Sequence, residues 1–359
     1  MFICGCLEEG RDGVGDYTRK LADAIKANFE NIFLIAYNDS LVKDLSTTEI
    51  GNIKILRIPS NTSNKHKFRT LKCFVIENKI SLISIQFVPF AFHTKGLPIN
   101  LVSSLGKFNG INWHIMFHEL WTGMEKRDSF KLKLLGFFQL QIIKRLVKKL
   151  KPKFIHTSND LYKHYLRDKI NITIVKELPI FGNIKRQTGY TKKPDNVCHI
   201  VLFAGIHSDA PVSNFLQWLM EQSKVMMINV HFTFVGRNGP FANEWISLLN
   251  DKGIFCQILG NQEEALISKL FSSCDFGIST TPYYLSSKSG SVAAMLEHEL
   301  PVLCVARSWI PNVNVELTSL KPNDVIEWNP SLKLQEILKT RLMKQSIAMV
   351  AEKFIEDLI

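Results

Sequence analysis

Glu9-Gly10-Arg11-Asp12-Gly13-Val14-Gly15-Asp16-Tyr17-Thr18 lies between an apolar run, residues 1–7, and an amphipathic pattern carrying Leu21, Ala22 and Ile25. A buried strand, a glycine-bearing turn and a helix make the first βα unit of a doubly wound sheet. Gly13 and Gly15 permit a tight turn and close backbone approach, and a helix N-terminus offers unpaired N–H groups and a positive dipole end to an anion. A dinucleotide fingerprint requires a third glycine where Thr18 stands, and an acidic residue after the second strand, where none is evident. A nicotinamide site is therefore disfavoured. Taken alone, the loop reads equally as a phosphate contact and as a plain turn with Asp12 or Asp16 near the helix N-cap.

The same alternation continues outward. Strand patterns at residues 32–36, 53–57, 82–87, 113–117, 154–157 and 172–175 interleave with helical patterns at 14–27, 68–78, 130–150 and 160–167. It lapses around 178–196, a polar, glycine- and proline-bearing stretch that reads as an interdomain linker. A second series then starts, with strands at 199–203, 231–235, 255–259, 276–279 and 302–305 and helices at 213–222, 241–251, 263–273 and 291–299. The expectation is an α/β protein of two tandem Rossmann-like, doubly wound domains facing across a cleft. Their expected spans are 1–183, a linker at 184–196, 197–330, and C-terminal helices at 331–359. Doubly wound sheets bind ligands beyond the carboxyl ends of their strands.

The chain has 359 residues, 46% of them hydrophobic and 21% charged, which excludes disorder and collagen-like repeats. Its formal charge is +11, and residues 1–183 carry 28 basic against 16 acidic side chains, so all the excess lies in the first half. One stretch, residues 124–153, holds ten of those basic residues against Glu125 and Asp128. Leu132, Leu135, Phe138, Ile142, Leu146 and Leu150 recur within it at helical spacing. This stretch reads either as a core-packed helix with a solvated basic face or as a helix docking on an anionic bilayer. Nucleic acid is disfavoured, because no recognition helix, zinc module or interleaved stacking-aromatic motif accompanies the charge. The seven cysteines are scattered without metal-ligand spacing, as fits reduced thiols. Without a signal-peptide core or a spanning apolar run, the expected location is cytoplasmic, with the membrane's cytoplasmic face as a candidate peripheral site.

Polar residues immediately past buried parallel strands mark the functional edge. In the first half these are Gln86 and the pair His118-Glu119. In the second half Phe203-Ala204-Gly205, Val235-Gly236-Arg237-Asn238-Gly239 and Leu259-Gly260-Asn261 each set a glycine past a strand. Farther on, Ser286-Ser287-Lys288-Ser289-Gly290-Ser291 opens a helix, and lysine, small hydroxyls and glycine at a helix start suit a diphosphate. The plainer alternatives are a loop histidine, tight βα turns and a serine-capped helix.

In their order, these signals resemble the retaining GT-B glycosyltransferases of family 4. The resemblance runs from the Gly13-Val14-Gly15-Asp16 loop through Phe117-His118-Glu119, residues 178–184, Gly236 and Asn261 to Leu300-Pro301-Val302-Leu303. It implies an acceptor domain followed by a donor domain and transfer of a sugar from a nucleoside-diphosphate sugar to a saccharide or lipid-linked saccharide hydroxyl. It also implies retention of anomeric configuration, no cofactor and no metal. The absence of any D-x-D from the sequence agrees with the last. On this resemblance His118 is the catalytic candidate, and Gly13, Val14, Gly15 and Asp16 form the acceptor and sugar loop. Lys288, Ser289, Gly290, Ser291, Gly236, Arg237, Asn261 and Glu297 are the donor-binding candidates. Two departures make this a divergent member. The family's arginine and lysine after the second domain's first strand are missing from Gly205-Ile206-His207-Ser208-Asp209-Ala210-Pro211. Its paired glutamates fall on Ser286 and Ala294. Lys288 and Arg237 are then the candidate replacements for the missing cations. The departures keep open a non-catalytic nucleotide-binding subunit and a nucleotide-sugar isomerase on the same fold.

Overall fold

The computed structural model describes residues 1–187, 196–314, 316–320, 322, 324–340 and 346–358. Residues 188–195 of the expected linker, and 341–345 and 359 of the expected C-terminal helices, lie outside these. The chain divides into two compact units. The first comprises Met1–Pro179, Ile310–Asn314 and the last helix, and the second comprises Ile180–Trp309 with the segments that follow as far as Ser346.

The first unit is built on eight strands: β1 (Phe2–Cys4), β2 (Ile32–Asp39), β3 (Ser46–Ile50), β4 (Ile53–Pro59), β5 (Leu82–Phe87), β6 (Asn112–Phe117), β7 (Phe154–Thr157) and β8 (Val175–Glu177). Their order in the sheet is β3-β4-β2-β1-β5-β6-β7-β8. All neighbours are parallel except β3, which runs antiparallel to β4 at the edge. The chain winds outward in both directions from β1, so the topological switch lies between β1 and β5, the place where such sheets open a crevice. The helices are α1 (Gly13–Ile25), α2 (Asn64–Glu77), α3 (Pro89–Phe92), α4 (Ile99–Leu105), α5 (Phe130–Leu150) and α6 (Asp160–Ile170). β1, β5 and β6 are almost wholly buried, as strands covered by helices on both faces must be.

The second unit carries a six-stranded parallel sheet, β9 (Val197–Phe203), β10 (Asn229–Val235), β11 (Phe255–Gly260), β12 (Phe276–Ser279), β13 (Val302–Cys304) and β14 (Val325–Glu327). Its order is β11-β10-β9-β12-β13-β14, with the switch between β9 and β12. Around it lie α7 (Val212–Met226), α8 (Ala242–Asp251), α9 (Glu264–Ser273), α10 (Gly290–Glu297) and α11 (Leu334–Lys339). Phe215, Phe232, Phe276 and Trp245 fill its core, each a large apolar side chain whose burial contributes about 1.5–3 kcal/mol.

The last helix, α12 (Ile347–Leu358), returns to the first unit and packs along α1. Its Phe354 is buried against Phe2, His114 and His156. The segment read as the linker's approach is itself packed: Phe181 and Ile184 are buried, and a Cβ on Gly182 would stand 2.5 Å from Ala294 Cα. α5 is anchored only in part. Ile142, Ile143, Leu146 and Leu150 are buried, whereas its first turns expose Phe130, Leu132, Leu134, Phe137 and Phe138. Gly136 is what allows α5 to lie against residue 122, since a Cβ there would meet the Thr122 carbonyl oxygen at 1.9 Å.

Candidate functional site

At the switch of the first sheet, Asp12 is the N-cap of α1, and its Oδ1 accepts from the Gly15 amide at 2.6 Å. Asp16 Oδ1 accepts from the Gly10 amide at 2.9 Å. Both carboxyls are raised by burial, which outweighs the hydrogen bonds they accept. The capping geometry of the plainer reading is therefore present, and a side-chain carboxylate already occupies the Gly15 N–H. Gly15 is fixed by packing, because a Cβ would meet the Cys6 carbonyl oxygen at 2.5 Å. Gly13 has open space where a Cβ would stand and no left-handed φ, so the chain itself does not demand glycine there.

An acidic residue does close the second strand, which the sequence reading missed. Asp39 ends β2, but it is fully buried and bound to Arg57 Nε at 2.7 Å. Burial alone would raise its carboxyl; hydrogen bonds from Arg57 and the backbone hold it below the ordinary range. Asp39 is thus committed to the fold and not displayed to a ribose.

His118 follows β6 directly. Its backbone N–H donates to the Phe87 carbonyl at 3.1 Å, which ties it to the end of β5. The ring is 8% exposed and meets the Tyr17 ring edge-on at 4.9 Å. Its Nε2 lies 2.8 Å from Gln86 Oε1. Burial pushes its pKa down to about 3, so it is a neutral imidazole near neutral pH. Nearby Cys6 is pushed up to about 11, chiefly by burial, and is no thiolate nucleophile.

In the second unit the rim loops are tied to one another. The Gly236 amide donates to the Gly260 carbonyl at 2.7 Å, the Asn238 side chain donates to the Ala204 carbonyl at 2.9 Å, and the Ile206 amide donates to the Asn238 carbonyl at 3.1 Å. Gly236 (φ 86°) and Gly260 (φ 63°) adopt left-handed backbone, as does Ala204 (φ 64°) beside Gly205. This brings Gly236, the exposed Arg237 and the exposed Asn261 onto one side of β9.

Across the switch, the His207 amide donates to Thr280 Oγ1 at 2.8 Å. Burial lowers the pKa of the His207 ring, and the charges of Lys288 and Arg307 act in the same direction. Arg307, which follows β13, was not singled out from sequence. Ser289 is the N-cap of α10, accepts from the Val292 amide at 3.5 Å and hydrogen-bonds Ser291 Oγ at 2.9 Å. Gly290 has open space beside it.

Glu297 lies at the other end of the same helix. It ends α10, about 10 Å along the axis from Gly290 by helical rise. Its carboxylate instead lies beside Gly182, where a Cβ would come within 2.9 Å of Oε2. Ser286 and Ala294 are both fully buried, and the Ser286 hydroxyl donates to the Tyr283 carbonyl at 2.7 Å. These two positions are core. Among the described residues, no group of three or more His, Cys, Asp or Glu is placed to hold a metal ion.

No family model and no curated protein sequence matches the chain. Solved structures do. The HepE protein of Anabaena, in complex with UDP and glucose, superposes with a TM-score of 0.58 at 12% identity, covering 99% of this chain and 98% of that one. A glycosyltransferase from Rickettsia africae gives 0.54 at 14% identity, covering 99% and 88%. WaaG, a glycosyltransferase involved in lipopolysaccharide biosynthesis, gives 0.52 at 11% identity, covering 99% and 95%. The fold is GT-B. At these identities the likeness is one of fold, and roles must be argued from this chain's own residues. In the first unit His118 follows β6; in the second, Lys288 lies past β12 and Arg307 past β13.

Proposed function

We propose that this protein is a retaining, metal-independent glycosyltransferase. It moves a hexosyl group from a nucleoside-diphosphate sugar to a hydroxyl of a saccharide or lipid-linked saccharide, in surface polysaccharide or glycoconjugate synthesis. The observation that carries this reading is the GT-B fold itself, whose second sheet sets Lys288 and the Ser289-capped start of α10 past β12 at its switch, with Arg307 past β13. When the glycosidic bond breaks, negative charge develops on the departing diphosphate. Two cations and the N–H groups opening α10 oppose that charge without a metal ion. The departing phosphate oxygen lies on the face the acceptor attacks and takes its proton, so no protein nucleophile is required. Neutral His118 orients a sugar hydroxyl, and the open side at Gly13 leaves room for the acceptor. HepE in complex with UDP and UDP-glucose supports uridine diphosphate as the first ligand to test.

A nucleotide that binds only the folded protein raises its melting temperature by mass action. UDP or another nucleoside diphosphate is expected to do so, with UDP-sugar hydrolysis or transfer in the same preparation. His118→Ala should lower turnover about 10- to 100-fold, the range of a lost orienting hydrogen bond at a reacting centre, while nucleotide binding persists. Full turnover in that variant removes His118 from the chemistry, and no nucleotide binding at all removes the reading. The buried Ser286 and Ala294 favour one competitor, a non-catalytic nucleotide-binding subunit. Binding without hydrolysis or transfer is its signature.

For the acceptor side we propose contact with an anionic membrane through residues 124–153, on the cytoplasmic face. Phe130 is 81% exposed, and Leu134, Phe137 and Phe138 with it form an apolar surface on one side of α5, flanked by exposed Lys131 and Lys133. Among the described residues no helix is long and apolar enough to cross a membrane. Shallow insertion of the aromatics, plus about 1 kcal/mol per well-placed basic residue, suits a salt-sensitive peripheral attachment. Sedimentation with anionic liposomes is expected at low salt, weakened at high salt and in Phe130→Ser/Phe137→Ser. An absence of binding to anionic liposomes at low salt eliminates this contact.

A further inference from the structure

A line of buried polar groups crosses the first sheet from His118 to the C-terminal helix. Ser84 and Gln86 lie two apart on β5, and His114 and His118 lie four apart along and just past β6, so strand alternation places them on one face. Gln86 Nε2 is 2.8 Å from Ser84 Oγ, which is 2.8 Å from His114 Nδ1. His114 Nε2 is 2.9 Å from His156 Nδ1 on β7, and His156 Nε2 is 2.9 Å from Asp357 Oδ2 on α12. Lys176 on β8 closes the line with an ion pair to the other Asp357 oxygen. Gln86, Ser84, His114 and His156 are each at most 3% exposed.

The direction of every hydrogen bond follows from the Asp357 end. Hydrogen bonds from Lys176 and His156 overcome the effect of burial and keep Asp357 ionised, and a carboxylate only accepts. His156 must therefore donate from Nε2 and, being neutral, accept at Nδ1. His114 then donates from Nε2 and accepts at Nδ1 from the Ser84 hydroxyl. Ser84 has spent its proton and accepts from the Gln86 amide nitrogen, which fixes the Gln86 carbonyl toward His118. His118 donates from Nε2, and Nδ1 is left as the ring's acceptor. The imidazoles are neutral because burial, above all, depresses their pKa values.

We propose that Asp357, acting through His156, His114, Ser84 and Gln86, sets the tautomer of His118, so that docking of the C-terminal helix decides which nitrogen His118 presents to a hydroxyl donor on the substrate. Asp357 is a positioning residue, and only the use of Nδ1 on a sugar hydroxyl rests on the glycosyltransferase reading. Replacing the carboxylate by its amide reverses the line. In Asp357→Asn, Lys176 holds the amide oxygen and the amide nitrogen donates to His156 Nε2. Each group then turns over in sequence until Gln86 donates to His118 Nε2 and the His118 proton moves to Nδ1.

The test reads nitrogen type and needs no turnover. In long-range proton–nitrogen spectra of histidine-labelled protein, with His118 assigned by its loss in His118→Gln, the wild type should show an unprotonated Nδ1 and a protonated Nε2. Asp357→Asn should exchange the two. Ser84→Ala, which cuts the line midway, should leave His118 mixed and insensitive to Asp357→Asn added to it. A protonated Nδ1 in the wild type overturns the proposal whether or not either variant folds. An unchanged His118 in folded Asp357→Asn overturns it too. Absence of sugar transfer in the wild type overturns the functional reading alone and leaves the tautomer result standing.

Discussion

Lys288→Ala is expected to weaken binding of uridine diphosphate about 10- to 100-fold, because a charge-assisted hydrogen bond to phosphate contributes ~1.5–3 kcal/mol and 1.4 kcal/mol is tenfold. Arg307→Ala is expected in the same range, since the Arg307 charge, like that of Lys288, acts on His207 to lower its pKa. The double variant loses the product of the two effects if the cations hold separate phosphate oxygens, and less if they share one. Lys288→Arg is not a conservative control, because a planar fork replaces a point charge at a helix start. Arg237→Ala should cost less, as Arg237 follows β10 and lies across β9 from the group around His207. Titration calorimetry with the nucleotide measures all of these. Single variants that both bind within twofold of the wild type would sink the assignment of these cations to the diphosphate.

The second unit was legible in sequence to the extent that its function lies in contiguous strings. The run 286–291 could be read directly, as a lysine and small hydroxyls opening a helix, and the glycine turns were visible because each follows an apolar strand. Arg307 was not visible, since it follows a different strand, one that only the order β9-β12-β13 sets near β9. The missing arginine and lysine after β9 could be noticed, but which other cations lie at the same sheet edge is a property of the fold. Short elements also escaped. Val325–Glu327 is three residues long, too short for alternation to register, and β3 (Ser46–Ile50) is an exposed polar edge strand that buries no face.

In the first unit the sequence was most misleading where polar residues sit inside apolar strands. His114 in Asn112–Phe117 and His156 in Phe154–Thr157 look like interruptions of a buried run. A buried polar group costs free energy unless hydrogen-bonded, so each implied a partner, and a partner's identity is not local information. Here it comes from Asp357, 201 residues away from His156 in the chain. His118 drew notice for its place at a strand's end. What makes it distinctive is the line of donors behind it, to which only Gln86 offered a clue. Asp39 shows the converse: an acidic residue at the site a ribose partner would occupy, already consumed by Arg57.

Acidification from pH 7 to 5 is expected to remove ~2 kcal/mol or more of stability through the same buried histidines. Unfolded, each takes up a proton near pH 6.5; folded, His118 stays neutral down to about 3. His114 moves the same way, from burial first and then from the other two imidazoles. His156 does so too, since burial, aided by Lys176 and Lys353, outweighs the opposite pull of Asp357. Below 6.5 these histidines therefore bind more protons in the unfolded chain than in the folded one, and the stability they contribute falls as pH falls, by ~1.4 kcal/mol per pH unit for each histidine kept neutral. The contribution is fully present above 6.5 and is lost progressively below it. For His118, whose pKa is pushed down to about 3, the loss between 6.5 and 5 is ~2 kcal/mol, a sizeable share of the ~5–15 kcal/mol stability of an ordinary domain, and His114 and His156 add to it in the same direction. Asp357 adds nothing in that window, because a carboxyl with a depressed pKa gives up its contribution only below about 4. Urea unfolding across this range measures the slope. His207 and His298 in the second unit are also depressed by burial and steepen it, so a variant must isolate the line. His114→Leu should start less stable at pH 7, with two polar neighbours orphaned, yet lose ~1.4 kcal/mol less per pH unit below 6.5. Equal slopes in the two proteins would mean that His114 is protonated in the folded chain, and the neutral line with its fixed direction could not stand.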